Sequence, residues 1–292
     1  MRVIALLIAG LAAVAAGNSA AAADCAPARL ATVKAEFMSD GRMKIPVMVE
    51  GHPLSFLLDT GGVSTTIKWD LARAMGLPVK QTPRRLKGVA GSILNFALAG
   101  ENFSVGELRV ENRPIYVESR PLFEADGTLG ADILRDYDVE IDMAQNSVSL
   151  YAAGYCAAPG WLGSAIAMER APGGHVRVPV KIDGATLMAV LDTGAATSMI
   201  GMRAAARLGI HPGSPELNPA GGAGRYRVYA YPFQSLELGG VTVKNPRIAI
   251  AEDGLIPGYD LVLGIDALRR TRFTIAYGSN RLYIKGLPVE VN

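Results

Sequence analysis

The sequence predicts an all-β chain of two homologous lobes related by a pseudo-two-fold axis, each with a short helix. A long internal repeat predicts the lobes, and short alternating apolar runs between turn residues predict the strands. KIPVMVEGHPLSFLLDTG at 44–61 lies over RVPVKIDGATLMAVLDTG at 177–194, an offset of 133. The same offset aligns GVAG at 88–91 with GGAG at 221–224, and GELRVEN at 106–112 with GGVTVKN at 239–245. One residue inserted in the second copy makes the offset 134 where LGADIL at 129–134 meets LGIDAL at 263–268. The chain divides into a leader at 1–23, a first lobe at 24–151, a Gly/Ala/Pro-containing connector at 152–162 and a second lobe at 163–292.

The elements follow in order. Lys44 to Val49 alternates as a strand, Glu50 to Pro53 turns, and Leu54 to Leu58 is a short apolar strand ending at the first Asp-Thr-Gly. Lys68 to Met75 reads as a short helix stopped by Gly76, and Met202 to Leu208 as its copy stopped by Gly209. Asp138 to Met143, a turn at 144–146 and Ser147 to Tyr151 form a hairpin. Arg272 to Tyr277, a turn at 278–280 and Arg281 to Lys285 repeat it.

Composition narrows the chemistry. Of 292 residues half are hydrophobic and 19% charged, enough apolar surface to offset chain entropy, which rules out bulk disorder. A net charge of +2 makes no field that would draw nucleic acid or an anionic membrane. Two Cys and three scattered His cannot build a multi-cysteine zinc site, and neither HExxH nor a P-loop spacing occurs. Arg2, the apolar stretch Val3 to Ala16 and the small residues Ala21 to Ala23 read as a signal peptide cleaved before Asp24. The expectation is a periplasmic or secreted protein with no membrane span after cleavage. In that compartment Cys25 and Cys156, which precede the similar stretches CAP and CAAP, are expected to pair. Two separately buried thiols are the alternative.

Four features in each lobe resemble the retropepsin-like branch of the aspartic proteases. A hydrophobic strand runs into Asp-Thr-Gly (FLLDTGG and AVLDTGA), a glycine-rich segment follows, then an apolar-Gly-x-Asp-x-Leu motif and a closing hairpin. A lone Asp-Thr-Gly is a weak signal, since Asp and Gly favour any strand-end turn. Two in register across nearly the whole mature chain are a strong one. The resemblance implies an aspartic endopeptidase whose fused lobes do what a retroviral protease does by homodimerising. It implies a monomer, an extended polypeptide substrate and no cofactor or metal.

The implied chemistry needs a pair of acids. Amide hydrolysis without a covalent intermediate requires one group to take a proton from water and another to protonate the carbonyl or leaving nitrogen. Two carboxylates facing each other share one proton, because like charges that close do not both ionise cheaply; aspartic proteases are a standard illustration of this arrangement. Asp59 and Asp192 are the expected dyad. By resemblance Thr60 and Thr193 hydrogen-bond across the lobe interface, and Gly61 and Gly194 let the backbone pass close to the acids. Gly88, Val89, Ala90 and Gly91, with Gly221, Gly222, Ala223 and Gly224, fall where the family carries its flap, so two flaps are expected over the substrate.

The chain also departs from the family. Gly62 and Ala195 stand where pepsin-like enzymes place a hydroxyl that stabilises the charged acid, so higher dyad pKa values and a mildly acidic to neutral optimum are expected. Ala131 and Ile265 replace the arginine of retroviral enzymes, and Val63 and Ala196 its acidic partner, so no uncompensated charge remains. Asp132 and Asp266 read as helix caps. His52, His175 and His211 lack a matching nucleophile motif and read as solvated or structural. Lys80, Arg84, Arg85 and Lys87 read as a solvated face, and Trp161 as packing between lobes. Two other readings stand beside the endopeptidase: a catalytically silent peptide binder with the same cleft, and two non-facing lobes that pair between molecules.

Overall fold

The computed structural model describes residues 28–87, 93–98, 102–118, 124–154, 163–223, 226–252 and 259–287. It is mostly β, in three sheets. Each lobe has its own ten-stranded sheet, and the two run in the same order, element for element. In the first lobe, Met43–Val49 pairs with His52–Leu58, which lies parallel to Gly127–Leu129, which in turn pairs antiparallel with Thr66–Lys68. In the second, Val176–Ile182, Ala185–Leu191, Leu261–Leu263 and Met199–Gly201 repeat that set.

The residues explain these strands. Met43, Ile45, Val47 and Val49 are buried while Pro46 and Met48 point out, the period of two expected of a sheet with one covered face. Phe56, Leu57 and Leu58 are instead buried in succession, because this end of their strand is covered on both faces. The turn between the first two strands is shorter than the expected Glu50 to Pro53. Glu50 and Gly51 both have positive φ (46° and 82°), and His52 already pairs with Val49. Asp183 and Gly184 repeat this (47° and 84°). A two-residue turn of this hand matches strand twist, so the hairpin needs no more chain.

The helices are short. Trp69–Ala74 and Met202–Ala206 form as expected but end earlier, and Gly76 and Gly209 take the left-handed conformation just beyond them. A second single turn follows each Leu-Gly, at Ala131–Leu134 and Ile265–Leu268.

The third sheet joins the lobes. Its six strands run Arg29–Lys34, Ser147–Ala152, Tyr137–Asp142, Thr271–Ala276, Arg281–Gly286, Ser164–Ala167. Ala152, assigned to the connector from sequence, is the last residue of its strand. The closing hairpins meet at Val139↔Ile275 and Ile141↔Phe273, four fully buried side chains that merge the lobe cores into one. Arg272 places its guanidinium 3.0 Å from Glu140 and 3.5 Å from Asp142 across the junction. Asp138 is fully buried and accepts hydrogen bonds from the N–H of Gly154 and of Gly278, each 2.8 Å, tying the start of the connector to the second lobe's hairpin turn. Asp138→Ala removes the buried acceptor of both charge-assisted hydrogen bonds, so denaturant unfolding should show a loss of about 3 kcal/mol. Among the described residues no helix is long and apolar enough to cross a membrane.

Candidate active site

Both Asp-Thr-Gly loops sit where the parallel strand pairs end. Asp59 N–H donates to Leu129 O and Asp192 N–H to Leu263 O, each 3.0 Å, so the strand carrying Leu-Gly fixes the point at which each acid leaves its sheet. The chain after each acid is then held from the other lobe. Thr60 N–H donates to Thr193 Oγ1 and Thr193 N–H to Thr60 Oγ1, both 3.1 Å. Thr60 Oγ1 donates to Leu191 O at 2.8 Å, and Thr193 Oγ1 to Leu58 O at 2.7 Å. Both threonines are fully buried. Four reciprocal hydrogen bonds away from water make a stiff, symmetric clamp, as the resemblance implied.

The clamp brings the two carboxylates together. Asp59 and Asp192 hydrogen-bond to each other, and each accepts a further bond on Oδ1, from Gly61 N–H (3.0 Å) and Gly194 N–H (2.9 Å). The glycines are required by space: a Cβ on Gly61 would overlap the Asp192 carboxylate, and one on Gly194 the Asp59 carboxylate. A Cβ on Gly62 would stand 2.6 Å from Asp59 Oδ2. Burial pushes the Asp59 carboxyl well above the ordinary range, and the charge of Asp192 and the hydrogen bond with it push it further; the amides of Gly62 and Gly61 oppose them. Burial also raises Asp192, opposed by the hydrogen bond with Asp59, the Gly194 amide and the charge of His175. Two adjacent, partly buried acids can hold one proton between them, which would let one accept a proton while the other donates.

Around the loops, the structure corrects the reading of Asp132 and Asp266 as helix caps. Gly130 and Gly264 occupy the cap positions and no side chain caps either helix. The acids instead orient a hydroxyl six residues beyond each Asp of the Asp-Thr-Gly loops. Thr65 Oγ1 donates to Asp132 at 2.8 Å and accepts from Gly130 N–H at 3.1 Å; Ser198 Oγ donates to Asp266 at 2.6 Å and accepts from Gly264 N–H at 3.0 Å. The helix N-termini finish the support, with Ala131 N–H on Gly62 O (2.7 Å) and Ile265 N–H on Ala195 O (2.9 Å). The signal was present in the repeat, as a hydroxyl residue at the same place in both copies.

A second residue missed from sequence is Arg42, which is 4% exposed. Its Nε donates to Asp40 at 2.8 Å and its Nη1 to Gly194 O at 3.2 Å, so a cation of the first lobe buttresses the second lobe's Asp-Thr-Gly loop. No repeat marks it, because its counterpart is His175. Arg42→Ala leaves the Gly194 carbonyl unsatisfied and Asp40 without its ion pair; thermal or denaturant unfolding should show a loss of about 2 kcal/mol.

His52 and His211 are exposed, as a solvated reading requires. The expected second flap lies on the hairpin of Asn218–Ala223 and Tyr226–Ala230, with Gly221 at φ 125°. The strands Val79–Lys87 and Ile93–Leu98 form the matching hairpin in the first lobe. The first tip, Gly88 to Gly91, lies outside the described residues, as do Gly224, Trp161, the leader and both Cys25 and Cys156.

The family model described as aspartyl protease matches the chain twice, at residues 45–133 and 178–267. The fold is similar to that of the aspartic proteinase from Irpex lacteus, at a TM-score of 0.59 and 14% identity, covering 89% of this chain and 98% of that one. It is also similar to conglutin gamma, a basic 7S globulin from lupine seeds (TM-score 0.54, 9% identity, 89% and 95% covered). The basic 7S globulin from soybean matches at a TM-score of 0.52 and 9% identity, with 90% and 96% covered. At these identities the likeness is one of fold alone. No curated protein matches the chain.

Proposed function

The chain belongs to the aspartyl protease family, and we propose that it is an exported endopeptidase in which Asp59 and Asp192 form one catalytic dyad. The observation that carries this reading is the pair of partly buried, mutually hydrogen-bonded carboxylates, one from each lobe, held by the reciprocal threonine clamp. An extended peptide lies over the dyad beneath the hairpins and pairs by its main chain. One carboxylate takes a proton from water as the oxygen adds to the scissile carbonyl carbon; the other gives its proton to the carbonyl oxygen. The resulting diol collapses as a proton passes to the amide nitrogen and the C–N bond breaks, returning one proton to the pair. The fused lobes act as a monomer. Residues 1–23 direct export, with Asp24 as the mature N-terminus and Cys25 paired with Cys156.

The pH dependence tests the catalytic part. Raised carboxyl pKa values move the limb at which the first dyad proton leaves toward neutral pH. Cleavage of a denatured protein substrate should therefore be bell-shaped, with its maximum in mildly acidic to neutral solution. A maximum below about pH 3 contradicts the reading.

A further inference from the structure

The lobes differ at a place where their sheets pair in the same register. In the first lobe Tyr116 stands across from Ala97; in the second, at the same offset of 133, Ala249 stands across from Ala230. Tyr116 is 6% exposed and packs on Ala97, which is 1% exposed. Ala249 is too short to do the same. Ala230 is exposed, and a cavity of about 550 Å³ opens over the two alanines. Its walls are aromatic and apolar, from Tyr229, Tyr231, Pro232, Phe233, Pro246 and Ile248. The Tyr231 and Phe233 rings pack on each other at 4.9 Å. Arg247 is the one charged residue that lines it. The matching face of the first lobe, beside Tyr116, holds a smaller cavity of about 270 Å³ that Arg113, Arg135 and Asp132 line.

We propose that the second lobe's cavity is a recognition pocket for one aromatic side chain of an extended polypeptide substrate. This rests on the reading of the chain as an endopeptidase. Position is the first argument. Ala220, Tyr229 and Ala230 belong to the hairpin expected as the second flap, and Thr197 lies five residues beyond Asp192 on the chain that leaves its Asp-Thr-Gly loop. A peptide paired beneath that hairpin runs past the pocket. Size and chemistry are the second. The same sheet positions hold a tyrosine ring in the first lobe, so in the second they have room for a ring brought by the substrate. Burying that ring against Tyr231 and Phe233 is favourable, whereas a cationic side chain would lose water beside Arg247 with no acid lining the pocket to pair with. The first lobe offers no such pocket at the matching place, because Tyr116 fills it and charged groups surround it. The lobes are alike at the acids and unlike in what they read, so the aromatic preference falls on one end of the substrate.

Peptide binding to the Asp59→Asn protein, followed by fluorescence anisotropy, reads this without turnover. The probes are two fluorescein-labelled decapeptides of Ala, Ser and Thr, identical except that one carries a single central Phe. The Phe peptide should bind about tenfold more tightly. Adding Ala249→Tyr, which puts the first lobe's ring in the pocket, should bring that ratio close to one. Adding Tyr231→Ala instead, which removes a wall without crowding the sheet, should at least halve it. With benzoylphenylalanine in place of the Phe, photocrosslinks should fall on Tyr229 to Phe233 or Pro246 to Ala249. No gain from Phe, a gain unchanged in either variant that folds, or crosslinks confined to the first lobe overturns the proposal. Peptides that bind with this preference but are left intact by the parent protein would refute the endopeptidase reading and leave the pocket standing. Internal cuts by a parent whose binding gains nothing from Phe would do the reverse.

Discussion

Asp59→Asn and Asp192→Asn should each lower kcat/KM for peptide hydrolysis by about 10³-fold or more, and the double variant should be no slower than the slower single one. The acids have separate tasks but one shared proton, so removing either leaves the other without a partner. Independent acids would multiply their losses; a dyad does not. The same substitution should move stability the other way. The Asp59 carboxyl is raised in the fold above its unfolded value of 3.8, so the folded state binds the proton more tightly. That contribution is complete below pH 3.8 and is lost as pH rises through the folded value. An amide at 59 has no charge to bury. Asp59→Asn should therefore be more stable than the parent at pH 7, by about 1–2 kcal/mol in denaturant unfolding, and lose that advantage below pH 3.8.

Gly61→Ala and Gly194→Ala should each be nearly as damaging to activity without touching an acid. The new methyl would overlap the carboxylate of the opposite lobe, and the clamp on Thr60 and Thr193 leaves the loop no room to retreat. The carboxylate must swing away. A displacement of about 1 Å at a reacting group costs roughly 10²-fold in rate, and overpacking of this kind costs about 1–3 kcal/mol of stability. Steady-state kinetics should show the loss in kcat more than in KM. The next position differs between the lobes, for Ala195 carries a Cβ where one on its counterpart Gly62 would stand 2.6 Å from Asp59 Oδ2.

The lobes, the acids and their flanking threonines and glycines were legible in the sequence because a repeat marks them twice. Strands such as Met43–Val49 were legible because one buried face imposes alternation. The sheet that joins the lobes was not, since pairing between Tyr137–Asp142 and Thr271–Ala276 spans distant parts of the chain and leaves no local pattern. Asp132 and Asp266 were assigned to the wrong partner for a related reason. An acid in the first turn of a helix fits a cap, and only the fold brings Thr65 and Ser198 against it. Arg42 escaped because comparing repeats rewards sameness, and its counterpart in the second lobe is His175.

The most direct test of the central claim is digestion of an unbiased peptide mixture from pH 3 to 8 by the parent protein, both single Asp→Asn variants and the double variant. The account predicts internal cuts by the parent that are lost in every variant. Cuts that survive in both single variants, or a folded parent that makes none, would contradict it.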